Sequence, residues 1–270
     1  MTPPPRRNGP PFPVARKSLG QHFLIDPNIV RKIVRLAELQ PGETVLEIGP
    51  GRGILTEALL EASGLVVAIE LDPALCDYLR TTLGSRPNLK LVEADALHYE
   101  YDQIPGPMLV VANLPYYVST PILFRLLKER QRVMRMVLML QEEVAIRLAA
   151  SAGGKDYSVL SVAAQFSCEV RMGFKVAPSC FRPRPRVGSA VVVLTPLPKP
   201  RVSVPDEAFF FKVVRSGFAH RRKAVLNSLR DEGFEGARVA AALKKTNLDP
   251  RRRAETFTLS DFADLTVALQ

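Results

Sequence analysis

The chain has 270 residues, 47% of them hydrophobic and 24% charged, enough for one full α/β core plus a small second domain. No apolar run approaches the ~20 residues that span a bilayer, and the three cysteines are too few and scattered for a disulfide framework. These features argue against a membrane-spanning helix, so no membrane partner is expected, and point to a reducing, cytoplasmic setting. The net charge of +10 is one-sided: residues 1–170 carry 18 basic and 18 acidic side chains, residues 171–270 carry 19 and 9. That asymmetry suggests a polyanionic partner, or else a solvated basic surface.

Residues 1–14 are proline-rich and predict a disordered tail. A transit peptide is the alternative, but the tail lacks an amphipathic helix pattern. From residue 27 helices and strands alternate. Helices are predicted over 27–39, 53–61, 73–83, 120–127 and 142–150, and strands over 44–48, 65–70, 89–93, 108–112 and 134–140. Such alternation implies a parallel sheet covered by helices on both faces. A helix over 157–166 and a late antiparallel strand pair, 170–176 and 190–194, follow. Prolines 196, 198, 200 and 205 mark a linker, beyond which helical patterns over 209–219, 222–230, 237–245 and 260–269 predict a small α-helical domain. The predicted organisation is a tail over 1–14, an α/β domain over 15–198 and a helical domain over 199–270.

Chemistry-bearing residues cluster at the carboxyl ends of the predicted strands. Glu47-Ile48-Gly49-Pro50-Gly51-Arg52-Gly53 joins the first strand to its helix, where glycines let the backbone approach a ligand closely. Glu70 ends the second strand, where a carboxylate can accept both hydrogen bonds of a ribose diol. Asp95 ends the third and is suited to an adenine amine. Leu71 and Ala96 line the adenine face or belong to the core. Glu47 reads as a buried support for the glycine turn, and Asp72 as a helix cap ahead of Pro73. A nicotinamide or flavin site prefers G-x-G-x-x-G, whereas the spacing here is G-x-G-x-G after an acid. The set resembles class I S-adenosylmethionine-dependent methyltransferases, a Rossmann-like α/β fold.

After the fourth strand comes Asn113-Leu114-Pro115-Tyr116. An exocyclic adenine amine is a poor nucleophile because its lone pair is delocalised into the ring. The Asn113 side-chain oxygen and the Leu114 carbonyl can accept its two hydrogens and aim the lone pair at a methyl donor. Pro115 fixes the turn, and Tyr116 can stack on an extruded base. Histidines 22, 98 and 220 and the cysteines lack metal-ligand spacing, so no metal is expected.

With these motifs in order, the chain resembles the ribosomal RNA adenine N6-dimethyltransferase family from about Ala15 to its C-terminus. Gly20-Gln21-His22-Phe23-Leu24, Gln141-Glu142-Glu143-Val144-Ala145, Phe181-Arg182-Pro183-Arg184-Pro185-Arg186-Val187, Ser189-Ala190-Val191-Val192 and Arg221-Arg222-Lys223 extend the match. The resemblance implies S-adenosyl-L-methionine as cofactor, held by Gln21, His22, Leu24, Gly49, Gly51, Glu70, Leu71, Asp95, Ala96 and Asn113. It implies Phe181 as a second stacking ring facing Tyr116; read alone, Phe181 is a core aromatic. It implies dimethylation of two adjacent adenines in the 3′-terminal hairpin loop of small-subunit (16S) rRNA, on a pre-30S particle, by a monomer. The alternatives are a 23S rRNA methyltransferase, or a non-catalytic RNA-binding assembly or transcription factor. The chain departs from the family at His22, where asparagine is usual, at Tyr117 and at Ser158. Arg182, Arg184, Arg186, Arg221, Arg222, Lys223, Arg251, Arg252 and Arg253 are candidate phosphate contacts.

Overall fold

The computed structural model describes residues 12–16 and 20–270. The tail expectation for residues 1–11 therefore lies outside the described residues. The chain runs β1 (Phe23–Leu24), α1 (Pro27–Ala37), β2 (Thr44–Ile48), α2 (Ile54–Ala62), β3 (Leu65–Glu70), α3 (Pro73–Leu83), β4 (Leu89–Glu93), β5 (Met108–Asn113), α4 (Ser119–Lys128), β6 (Val133–Gln141) and α5 (Glu142–Ala149). It continues α6 (Val159–Ser167), β7 (Cys168–Val176), β8 (Phe181–Arg182), β9 (Ser189–Pro196), α7 (Glu207–Ala219), α8 (Val225–Asp231), α9 (Gly236–Lys245) and α10 (Leu259–Leu269).

Seven strands form one sheet in the order β4-β3-β2-β5-β6-β9-β7. The pairs from β4 through β6 are parallel, and the order reverses between β2 and β5. In doubly wound sheets ligands bind at the carboxyl ends beside such a switch point. The central strands are continuous apolar runs because both faces are covered: Val45, Leu46, Val66, Val67, Val110 and Val111 have no exposed surface. The helices begin where local chemistry dictates. Asp26 accepts the Asn28 N–H at 2.8 Å and Asp72 the Ala74 N–H at 3.1 Å, each ahead of a first-turn proline. Helix α1 stops two residues short of its predicted end because Glu38 turns left-handed, at φ 50°.

The described chain groups into two compact units, 1–142 with 172–193, and 143–171 with 194–270. This differs from a boundary at residue 198. Tyr157, Val162 and Phe166 pack with Phe210, Phe218, Val239 and Phe262 in one core, and the Phe166 and Phe210 rings stack at 5.1 Å. The proline linker is tied to this unit: Leu197 N–H donates to Ser167 O at 2.8 Å and Arg201 N–H to Phe166 O at 2.9 Å. Asp206 caps α7 through Ala208 and Phe209, and Thr258 and Asp261 form a reciprocal capping box on α10. No helix among the described residues is long and apolar enough to cross a membrane.

Candidate active site

One cavity at the carboxyl ends of β2, β3 and β5 is lined by Gln21, His22, Leu24, Gly49, Gly51, Glu70, Leu71, Asp95, Ala96, Asn113, Leu114, Pro115 and Tyr116. The glycine turn shapes one wall. Gly49 (φ 69°) and Gly51 (φ 59°) are left-handed, a region that penalises side chains. A Cβ on Gly49 would meet Pro115 at 3.2 Å, and one on Gly51 would meet Phe23 at 3.0 Å. The turn is thus pressed against the tetrad on one side and β1 on the other.

Glu70 is 6% exposed and its Oε1 accepts the N–H groups of Leu71 and Asp72, both at 2.9 Å, while Oε2 accepts Gly51 N–H at 3.2 Å. Burial nevertheless pushes its pKa up, against these hydrogen bonds. A carboxylate has about four lone-pair positions, and three are taken. The remaining position, on Oε2, is open to a ribose hydroxyl. Asp95 accepts the Leu97 N–H at 2.8 Å and pairs with His98 at 3.1 Å. Asp72 caps α3 and also takes Gln21 at 3.1 Å and Arg16 at 3.3 Å.

Glu47 is buried, and burial pushes its pKa to about 8. A side-chain hydrogen bond with Thr56 opposes that rise. Asn113 at the end of β5 has a buried Oδ1 with no hydrogen-bond partner among the described residues, an uncommon state for a buried group. Leu114 N–H donates to Met139 O at 3.1 Å, which holds the turn to β6. The Tyr116 hydroxyl bonds Ser189 Oγ at 2.5 Å; burial raises its pKa more than this bond lowers it.

The sequence reading missed what holds the cavity's outer side. Strands β1 and β8 pair antiparallel, Phe23 opposite Arg182 and Leu24 opposite Phe181. Two-residue strands have no periodicity to read. The pairing sets His22 Nδ1 2.7 Å from Pro183 O. A carbonyl only accepts, so Nδ1 carries the proton. The His22 ring lies 5.4 Å from the Tyr116 ring. Phe181 is fully buried in a core with Leu24, Ile29 and Val176 and is not among the residues that line the cavity. On β8 it stands opposite Leu24, and its role as a second stacking ring stays what the family resemblance implies.

Residues 12–14, assigned to the tail, make contacts. Arg52 donates to Pro13 O at 2.8 Å and lies 4.9 Å from the Phe12 ring and 4.4 Å from the Phe23 ring. Among the basic candidates most have intramolecular partners. Arg251 bonds Asp249, Arg252 bonds Asp261, Lys223 bonds Asp231, Arg253 lies 4.0 Å from Glu255, Arg221 donates to Lys155 O and Arg182 to Phe181 O. Arg184, Arg186 and Arg222 have no side-chain partner among the described residues.

Residues 14–268 match the model of the ribosomal RNA adenine dimethylase family. The chain belongs to that family. It is 48% identical to the ribosomal RNA small subunit methyltransferase A of Moorella thermoacetica, over 95% of this dimethylase and 93% of that protein. It is 44% identical to the one from Geobacter sulfurreducens, over 94% and 95%. Among solved structures it resembles a dimethyladenosine transferase from Plasmodium falciparum, with a TM-score of 0.76 and 28% identity over 90% of this chain and 96% of that one. It also resembles the 23S rRNA methyltransferase ErmE, with a TM-score of 0.70 and 28% identity over 92% and 99%. The fold of this dimethylase is thus that of a class I S-adenosylmethionine-dependent methyltransferase with a helical C-terminal part.

Proposed function

We propose that this dimethylase transfers methyl groups to N6 of two adjacent adenines in the 3′-terminal hairpin loop of small-subunit rRNA during ribosome assembly. Its cosubstrate is S-adenosyl-L-methionine, which supplies an electrophilic methyl on a sulfonium. The observation that carries the reading is the buried, unpartnered Asn113 Oδ1 beside Tyr116 in a cavity walled by the glycine turn.

Gly49 and Gly51 leave room for the methionine end, Glu70 takes a ribose hydroxyl, and Asp95, Leu71 and Ala96 hold the adenine end. Asn113 Oδ1 and the Leu114 carbonyl accept the target amine's hydrogens, which localises the nitrogen lone pair. Leaving Asn113 Oδ1 unpaired in the free protein costs roughly 1–3 kcal/mol; the amine hydrogen relieves that cost as it arrives. Catalysis here is orientation and electrostatics set in advance. The released proton can pass to water, since the alkylated nitrogen becomes strongly acidic. Arg184, Arg186 and Arg222 supply phosphate contacts that carry no sequence information. The reading also takes the protein as a metal-independent monomer acting on the pre-30S particle in the cytoplasm.

The similarity to small-subunit methyltransferases, at 41–48% identity, outweighs the 28% identity to ErmE in choosing the substrate. Incubation with labelled cofactor and unmethylated small-subunit particles tests the choice. Label on the 3′-terminal hairpin supports it. Label confined to large-subunit RNA selects the 23S alternative, and no label sinks the enzyme reading.

A further inference from the structure

A second cavity of about 520 Å³ opens beside the first. Gly20, Gln21, His22 and Tyr116 line both, and Gln141, Arg184 and Arg186 line only the second. The sheet register explains how Gln141 arrives there. Strands β5 and β6 are parallel with Asn113 opposite Met139. Opposed residues in a sheet project to the same face, and side chains alternate along a strand. Gln141, two residues beyond Met139, therefore shares a face with Asn113 and lies past the end of β5. A base stacked on Tyr116 with its amine at Asn113 extends from the first cavity into the second.

The polar groups around that space are mostly committed. The Tyr116 hydroxyl bonds Ser189, and His22 Nδ1 bonds Pro183 O. Glu142 anchors the loop, donating its N–H to Gly188 O at 3.0 Å and pairing with Lys175 at 2.6 Å. The Gln141 carboxamide has no hydrogen-bond partner among the described residues. Arg184 and Arg186 are cations suited to phosphate. Gln141 is the neutral side chain of this cavity's far wall that offers both a donor and an acceptor.

We propose that Gln141 donates a side-chain N–H to a ring nitrogen of the target adenine and so fixes the base's rotation about its stacking axis on Tyr116. This rests on the reading of the site as an adenine methyltransferase. Asn113 and Leu114 hold only the exocyclic amine, which leaves the ring free to pivot. A third contact at a ring nitrogen removes that freedom. It also gives Gln141 a part in base choice, because a donor placed there is left unpaired by a ring that lacks the acceptor.

The test uses full-length wild type, Gln141→Leu and Gln141→Glu on small-subunit particles. Their target adenines are either unmodified or replaced by 1-deaza-, 3-deaza- or 7-deazaadenine. The wild type should lose about tenfold in kcat/KM on one analogue beyond its loss on the other two. Gln141→Leu should lose about tenfold on ordinary adenine, with unchanged cofactor Kd and thermal midpoint, and lose nothing extra on that analogue. Gln141→Glu, which cannot donate, should lose at least as much. Wild-type turnover by Gln141→Leu, or analogue losses that are the same in wild type and variant, overturns the proposal while leaving the methyltransferase reading intact. Absence of transfer by the wild type to ordinary adenine in any particle overturns the underlying reading and the proposal with it.

Discussion

The two compact units treat buried polar groups in opposite ways. Around the sheet, Arg52 Nε, Asn113 Oδ1 and Arg125 Nε are buried without hydrogen-bond partners among the described residues, and all three lie in the first unit. In the second unit the buried hydroxyls are used: Ser228 donates to Ser216 O at 2.7 Å and Thr266 to Phe262 O at 2.6 Å. A structure normally leaves few such groups unpaired. Asn113 lines the cavity, so part of the first unit's polar deficit is held where ligand groups would fill it. The second unit is finished as a fold. The first, at its carboxyl edge, is finished by what it binds.

The comparison predicts that one damaging change to each unit should fail differently. Phe262→Ala removes a fully buried ring from the second core and should cost about 3–5 kcal/mol of stability, read as a lowered urea midpoint. Equal midpoints would mean that this core is not what holds the unit. Asn113→Ala should lower kcat by about 10²- to 10³-fold, by analogy with removing one aligned polar group from a charge-stabilising site. It should leave RNA binding in place. Because it removes an unpaired buried acceptor, its stability should equal or exceed the wild type's by about 1 kcal/mol; a marked loss of stability would make Asn113 structural.

Glu47 sharpens the contrast through pH. In the folded chain it keeps its proton up to about 8, against an ordinary value of 4.5. Its folded pKa being raised, the folded state binds more protons between those values, so its contribution is whole below the lower value. Stability falls as pH rises through that window, by at most about 1.4 kcal/mol per pH unit. Glu47→Gln stays neutral and should gain on the wild type from pH 5 to pH 8. Chemical denaturation at both pH values checks this, and a constant difference would refute it.

The smallest expected effect concerns charge. Counted by compact unit, the asymmetry along the chain disappears: the first unit has 20 basic and 15 acidic residues, the second 17 and 12. Arg182, Arg184 and Arg186 return to the sheet unit. Arg184→Ala should lower the salt slope of RNA binding by about one. An unchanged slope would assign this loop to solvent.

The motifs alone carried the chemistry. A glycine turn after an acid, acids ending the next two strands and Asn-Leu-Pro-Tyr after the fourth are local facts, because each lies within a few residues of a strand end. Alternating apolar runs likewise determined the parallel sheet. Three things needed the tertiary structure. Phe181 reads by itself as a core aromatic, but only the pairing of β8 with β1, which sets it opposite Leu24, shows which core it joins. Helix α6 carries the same apolar pattern in either unit, and only packing against Phe210 places it with the C-terminal helices. Gln141 stands in a matching motif, but nothing local gives it a role. It meets Asn113's face because β6 lies beside β5 in a fixed register, and register is a property of paired strands that a single strand cannot encode.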